Sequence, residues 1–291
     1  MRYKIRHTTS YQYNAPVSLC HNRLCLAPID TSVQKCLSSS IQIHPAPDEI
    51  SERTDFFGNK ILFFSIYKEH SALEVVSESE VQTPRIPLQQ QAMESGLLWQ
   101  QVNGQIHHTA ELYEEIVQYL LPSNYIPRSE TIRNYAQNCF PAGATLWDCC
   151  HSLMRRIYKD IIFTPGFTTI NTPVETVLKT GKGVCQDIAH LMISCLRNMN
   201  IPARYVSGYI ETLPPPGQEK LAGSDASHAW VSVYFPVAGW VDFDPTNCQL
   251  TSDQHVVVAY GRDYQDVAPT KGIVFSAGEQ RLHVEVDVMR M

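Results

Sequence analysis

The sequence predicts an α+β protein in which a small all-β region comes first and a domain whose helices precede its strands comes second. Three observations predict it. Up to about residue 85 apolar residues recur at strand spacing, from about 107 the period becomes helical, and beyond Pro202 strand-like alternation returns. With 291 residues the chain is long enough for two domains that each bury a core. The expected boundaries are 1–85 for the β-rich N-terminal domain, 86–106 for a linker and 107–291 for the α+β domain.

In the first region strands are predicted at 3–7, 24–26, 39–43, 60–66 and 72–76, with turns signalled at Asn14-Ala15-Pro16 and Phe57-Gly58-Asn59. An antiparallel sandwich or barrel is the expected arrangement. Pro84, Pro87 and Gln89-Gln90-Gln91 read as linker, although Leu97-Leu98-Trp99 should pack against a neighbouring surface. A helix follows with Leu112, Ile116 and Leu120 on one face and Pro122 as its stop, and another is signalled over 131–138. Thr145-Leu146-Trp147-Asp148 has a capping-box pattern, in which the Thr145 hydroxyl accepts from the third helical amide and Asp148 reaches back. Thr172-Pro173-Val174-Glu175 adds proline at the first helical position, and its short helix should end at Gly181. The next helix opens at Cys185 and sets Cys185, Ile188, Ala189, Met192, Cys195, Leu196 and Met199 on one stripe before Asn200-Ile201-Pro202 ends it. A strand at 203–210, a polar loop with Pro214-Pro215-Pro216 and a hairpin of strands 227–235 and 239–246 come next. Strands at 255–260 and 282–288 close the chain.

Composition narrows the function classes. Hydrophobic residues at 44% and charged residues at 18% describe a soluble globular protein. Only 23 Lys and Arg stand against 29 Asp and Glu, so the net charge of −6 excludes a broad nucleic-acid surface. Nine cysteines, an odd number without the dense spacing of a stapled scaffold, read as mostly free thiols. The opening residues are basic but carry no apolar run behind them, and no stretch reaches membrane-spanning length. A cytoplasmic protein with no membrane partner is expected.

The chemistry concentrates around Cys185. In Gly181-Lys182-Gly183-Val184-Cys185-Gln186-Asp187 a glycine-punctuated turn hands over to an apolar helix, which puts the thiol among unpaired N–H groups at the positive end of the helix dipole. Both favour the thiolate. His228 opens the strand Ser227-His228-Ala229-Trp230, and Asp244 ends the next one before Pro245. Proton transfer from thiol to imidazole would give an ion pair, and a carboxylate on the second ring nitrogen would fix the tautomer. Such a constellation transfers acyl groups through a thioester, with the Cys185 N–H as the natural oxyanion donor. Asp187 opposes the scheme by raising the thiol pKa unless it turns to the helix terminus. Asp242 shares a strand face with Asp244 and is a rival orienter.

Beyond this reading of the residues, Gly183-Val184-Cys185-Gln186-Asp187 with His190, Ile201-Pro202-Ala203-Arg204-Tyr205-Val206-Ser207-Gly208-Tyr209, Ser227-His228-Ala229-Trp230, and Trp240 with Phe243-Asp244-Pro245-Thr246-Asn247 resemble the bacterial transglutaminase-like superfamily. The β-rich start with Phe57-Gly58-Asn59, and Gly261-Arg262-Asp263-Tyr264 with Asp266-Val267, are similar to the flanking parts of the same proteins. The resemblance implies a papain-like core with Cys185 as nucleophile, His228 as base and Asp244 as orienter. It also implies a peptide or protein amide as substrate, either hydrolysed by a cysteine peptidase or amidase or joined to an amine by a transglutaminase. Calcium is implied only for the eukaryotic branch, and the sequence has no EF-hand loop, so no cofactor and no metal are expected. Ile188 departs from the aromatic residue common there.

Plainer readings stand beside this one. A thiol on an apolar stripe also fits a buried structural cysteine, and an inactive member would serve as a peptide-binding scaffold; the intact Cys185, His228 and Asp244 argue for chemistry. Zinc on those three lacks any clustered ligand spacing. Cys149-Cys150 read as core, His107-His108 as a solvated helix start, and Asp187 and His190 as structural support. Arg262, Asp263 and Tyr264 fit an ion pair as well as a binding site. The Pro214–Pro216 loop and Asn247-Cys248-Gln249-Leu250 are expected to shape the substrate cleft.

Overall fold

The computed structural model describes residues 1–83, 88–106, 110–212 and 227–291. Pro84, Pro87, His107-His108, the Pro214–Pro216 loop and the side chain of Leu112 lie outside the described residues. Six strands come first: β1 (Arg2–Val17), β2 (Leu19–Ala27), β3 (Lys35–His44), β4 (Glu49–Thr54), β5 (Lys60–Ile66) and β6 (His70–Gln82). Five match the predicted strands. The sixth, β4, is exposed at every position, so it carries no alternation for a sequence reading to detect.

The second half contains α1 (Leu88–Glu94), a 3₁₀ turn at Trp99–Gln101, α2 (Val102–Ile106), α3 (Ala110–Val117), α4 (Glu130–Gln137) and α5 (Leu146–Asp160). Then come β7 (Ile162–Phe163), α6 (Val174–Thr180), β8 (Lys182–Gly183), α7 (Cys185–Asn198), β9 (Ala203–Ile210), β10 (Ser227–Phe235) and β11 (Gly239–Asp244). The chain ends with β12 (Gln249–Leu250), β13 (His255–Gly261), α8 (Tyr264–Val267), β14 (Thr270–Phe275) and β15 (Gln280–Arg290). An antiparallel sheet of order β12-β11-β10-β9-β13 forms the centre, and α7 lies against β10 and β9. Helices α4, α5 and α6 pack on α7, so every residue from Asp187 to Asn198 is buried.

Most helix ends follow the sequence signals. The Thr145 hydroxyl accepts from the Asp148 amide at 3.1 Å and gives its own proton to the Asp148 carboxylate at 2.8 Å. Thr172 differs from expectation. Pro173, in extended conformation, is the cap of α6, because the Thr172 hydroxyl accepts from the Thr169 amide instead. At the far end of α7, the buried Arg197 donates to the carbonyls of Ala203, Arg262 and Leu121 at 2.7–3.1 Å, tying the helix to β9 and to the turn after β13.

The first strands and the rest of the chain share sheets and core. The N-terminal strands form two facing antiparallel sheets of order β15-β1-β6-β3 and β14-β2-β5-β4, so the last two strands of the chain return to the first domain. The sequence predicts β15 as a strand over 282–288 and does not signal β14, and nothing local says which sheet either joins. The expected linker is also part of the core, since Ala92, Leu97, Val102 and Ile106 are buried in one cluster with residues of α5, α7 and β9. Tyr3, Ile5, Ile61, Val81, Val286 and Val288 of the sandwich belong to that same cluster.

The sandwich also closes the open edge of the central sheet. Edge strands leave backbone groups unpaired. On β13 two side-chain amides take the place of a neighbouring strand: Gln34 donates to the Val257 carbonyl and accepts from its amide at 2.7 and 2.8 Å, and Asn59 does the same for Tyr260 at the same distances. Asn59→Ala would leave both Tyr260 groups without their partner, and is predicted to lower the unfolding free energy by about 2 kcal/mol or more. A urea unfolding midpoint equal to that of the parent protein would contradict the clamp.

Candidate active site

Cys185 is the first residue of α7, capped by Val184 in extended conformation. Asp187 turns back at the third position, as the chemistry required. Its Oδ2 accepts from the Val184 amide at 2.8 Å and from the Thr168 hydroxyl at 2.6 Å. Burial raises its pKa against these two bonds. Gly183 makes this possible, because a Cβ there would lie 2.9 Å from the Asp187 Cβ and 3.1 Å from its Oδ2. The Cys185 amide keeps its place among the unpaired N–H groups of the helix start.

His228 and Asp244 reach the same place from adjacent strands. His228 Nε2 lies 2.8 Å from Asp244 Oδ2, with the carboxylate fully buried and the ring 8% exposed. Nε2 is committed to the carboxylate, so Nδ1 is the nitrogen left to serve the thiol. Burial lowers the imidazole pKa, but hydrogen bonding to Asp244 and to Cys185 outweighs it and raises the pKa to about 10. Asp244 moves the other way. Burial alone would raise it, yet bonds from His228, His255 and Asn247 hold it well below the usual carboxylate range. A protonated imidazole backed by an ionised carboxylate is the state these two shifts favour.

The strand register sets up this meeting. His228 stands opposite Gly208 of β9, where a Cβ would come within 2.1 Å of the Val256 carbonyl and 2.4 Å of Trp230 Cη2. Only glycine lets the fully buried Trp230 lie over the strand beside the His228 ring. The rival carboxylate, Asp242, is occupied by the Trp230 indole N–H at 2.9 Å. Asp244 Oδ1 accepts from the amides of Thr246 and Asn247 at 3.0 and 3.2 Å, so the Asp-Pro turn fixes the carboxylate as well.

Asp244 has two further side-chain partners, Asn247 from the segment expected to shape the cleft and His255, which carries no site signal. Asn247 Nδ2 donates to Oδ2 at 2.7 Å, and His255 Nε2 lies 3.3 Å from the same oxygen. Asn247 sits three residues past Asp244, a spacing that could have suggested it; His255 reads only as the start of a strand. Among the described residues, His228, Asp244 and His255 are the group whose ligand atoms cluster tightly enough for a metal ion, within 4.8 Å of one another. Both imidazoles already point at one oxygen at hydrogen-bond spacing, which fits a proton network and not an ion cradle.

The other highlighted residues have structural partners. His190 Nε2 accepts from the Tyr264 amide, and its ring stacks on Tyr125. Arg262 holds Asp266 through three bonds, one from its amide and two from its guanidinium, while Asp263 caps α8 and accepts from the Tyr125 amide. Cys149 and Cys150 are buried, and all nine cysteines are free. A cavity of about 970 Å³ lies between residues 30–34 of the sandwich and the central sheet, lined by Arg204, Trp230, Trp240, Asp242 and His255 among others; Cys185 is not in its wall.

The Asp187 cap is testable. Asp187→Ala is predicted to lower stability by about 1 kcal/mol, while Asp187→Asn, which keeps an acceptor, should lose less. Equal thermal midpoints for the alanine variant and the parent would contradict its role as the cap of α7.

Comparison with known proteins agrees with this architecture. Residues 3–82 match the bacterial transglutaminase-like N-terminal region, and residues 134–245 match the transglutaminase-like superfamily. Uncharacterized proteins of Mycobacterium tuberculosis and Mycobacterium bovis are each 36% identical over 293 residues, covering 99% of this chain and 92% of theirs. A protein-glutamine gamma-glutamyltransferase of Pseudomonas aeruginosa is 41% identical over 73 residues, which is 25% of this chain and 11% of that protein. The crystal structure of a Cytophaga hutchinsonii protein described as a candidate cysteine protease covers 100% of this chain and 91% of its own, with a TM-score of 0.76 at 23% identity, a likeness of fold. With both halves matched in sequence and the helix-on-sheet core matched in space, the chain belongs to the transglutaminase-like superfamily.

Proposed function

We propose that this protein is a cysteine peptidase or amidase that cleaves peptide or isopeptide bonds through a thioester on Cys185. The observation that carries the reading is the unbroken polar path from the thiol at the start of α7, through His228, to the fully buried Asp244. The Cys185 thiolate attacks the carbonyl carbon of the amide, and the carbonyl electron pair moves onto oxygen. The Cys185 N–H donates to that oxyanion. The His228 imidazolium gives its proton to the leaving nitrogen, the C–N bond breaks, and the acyl group remains on sulfur. Neutral His228 then takes a proton from water as the oxygen adds to the thioester. The acid departs and the thiolate–imidazolium pair is restored. Asp244 keeps the proton on Nε2 throughout, so every transfer passes through Nδ1.

A second reading is favoured by the glutamyltransferase named among the relatives. There a primary amine replaces water at the thioester, and the product is a new amide. The first half of the reaction is identical, so the two readings diverge only at the acceptor.

Both are tested by incubating the protein with casein in the presence of monodansylcadaverine and following new peptide termini and dansyl incorporation by mass spectrometry. New termini are expected, and Cys185→Ala should reduce their rate by a factor on the order of 10⁴ or more. Incorporation without cleavage would replace the peptidase with a transamidase. Full turnover in Cys185→Ala would remove the nucleophile from the mechanism. The pH profile follows from the raised His228 pKa: cleavage needs the proton on the imidazole, so activity should hold as pH rises and decline as it passes about 10. A decline centred near the ordinary imidazole pKa, ~6.5, would contradict it.

A further inference from the structure

We propose that His255 is a positioning residue for the thiol–imidazole pair, sharing the Asp244 oxygen that holds His228 and so weakening the grip of the carboxylate on that ring. The inference rests on His228 as the proton carrier, whichever acceptor follows.

The orientation of His255 is fixed by its own turn. The Ser252 amide donates to His255 Nδ1 at 3.1 Å, and the Ser252 carbonyl accepts from the His255 amide at 3.1 Å. Nδ1 is therefore an acceptor, the ring proton sits on Nε2, and Nε2 points at Asp244 Oδ2 at 3.3 Å. The side chain is 2% exposed, with the edge of Trp230 against its ring at a centroid distance of 5.2 Å. The groups facing it are few. The His228 ring is its neighbour at a centroid distance of 6.2 Å, with both rings on Asp244, Asp242 is held by Trp230, and Asp30, Asp253 and Arg204 line the adjoining cavity.

The consequence is electrostatic. Asp244 Oδ2 accepts from His228 at 2.8 Å, Asn247 at 2.7 Å and His255 at 3.3 Å, three donors on an oxygen with two lone pairs. Each donor draws electron density from the carboxylate and makes it a weaker base. A weaker base holds the imidazolium less tightly, which keeps its proton available for a leaving amine. Removing the His255 donor while keeping the volume of the ring should therefore raise the His228 pKa. Loosened packing alone gives no reason for that upward sign.

The test needs no substrate. In a Cys185→Ala background, the His228 ring is titrated by ¹⁵N NMR in the otherwise unchanged protein and with His255→Phe or His255→Gln added. His255→Phe is expected to raise the His228 pKa by roughly half a unit to one unit, and His255→Gln, which retains an N–H donor, to bring it back to the parent value. An unchanged or lowered pKa in the phenylalanine variant overturns the proposal, as does a glutamine variant that behaves like phenylalanine. If circular dichroism finds the phenylalanine variant unfolded, His255→Met, which lacks the donor, is titrated in its place with the same criteria. A parent protein whose His228 titrates as an isolated imidazole would instead remove the proton-carrier reading itself, so the two failures are distinct.

Discussion

The second half of this molecule is organised around one buried charge. Asp244 is fully removed from solvent, and an ionised carboxylate there is tolerable only if its oxygens are completely hydrogen-bonded. Five bonds meet that demand: two from the backbone of its own turn, one from Asn247, one from His255 and one from His228. The carboxylate in turn holds His228 Nε2 and favours the protonated imidazole, which faces the Cys185 thiol at the start of α7. Each residue in the path is ordinary alone, and in the proposed mechanism the reactivity comes from the order of charges along it.

The rest of the architecture keeps that path dry and in register. Gly208 brings Trp230 over β9 beside His228, and Trp230 itself draws Asp242 away from competition with Asp244. At the outer edge of the sheet, Gln34 and Asn59 hold β13, the strand that carries His255. The sandwich is thus more than an appendage. It supplies the edge partners of the central sheet, shares its hydrophobic core, and is itself completed by β14 and β15 from the other end of the chain. Unfolding one half would expose core and backbone groups of the other.

Much of this was legible because local signals and tertiary roles coincide. The helix from Cys185, the strands from Ala203, Ser227 and Gly239, and the sites Cys185, His228 and Asp244 each carry a cap, a period or a turn residue that states the local structure. What the sequence did not disclose is non-local. β4 is exposed throughout and has no pattern, β14 carries no strand signal, and the sheet that β15 joins is set by partners it finds across the chain. His255 looks like any histidine at a strand start, and its role exists only because the register sets it beside Asp244. The cap of α6 lies one residue past Thr172, whose hydroxyl accepts from the Thr169 amide.

The central claim is that Cys185 and His228 form an ion pair sustained by Asp244. It is tested most directly by the pH dependence of Cys185 alkylation with iodoacetamide, with the site of modification read by peptide mass spectrometry, in the parent protein and in Asp244→Asn. The account predicts fast modification of the parent well below the free-thiol pKa of ~8.5, and a profile in Asp244→Asn displaced toward that value. Slow modification with an ordinary thiol profile, identical in both proteins, would contradict it and leave Cys185 an inert thiol on a well-ordered scaffold.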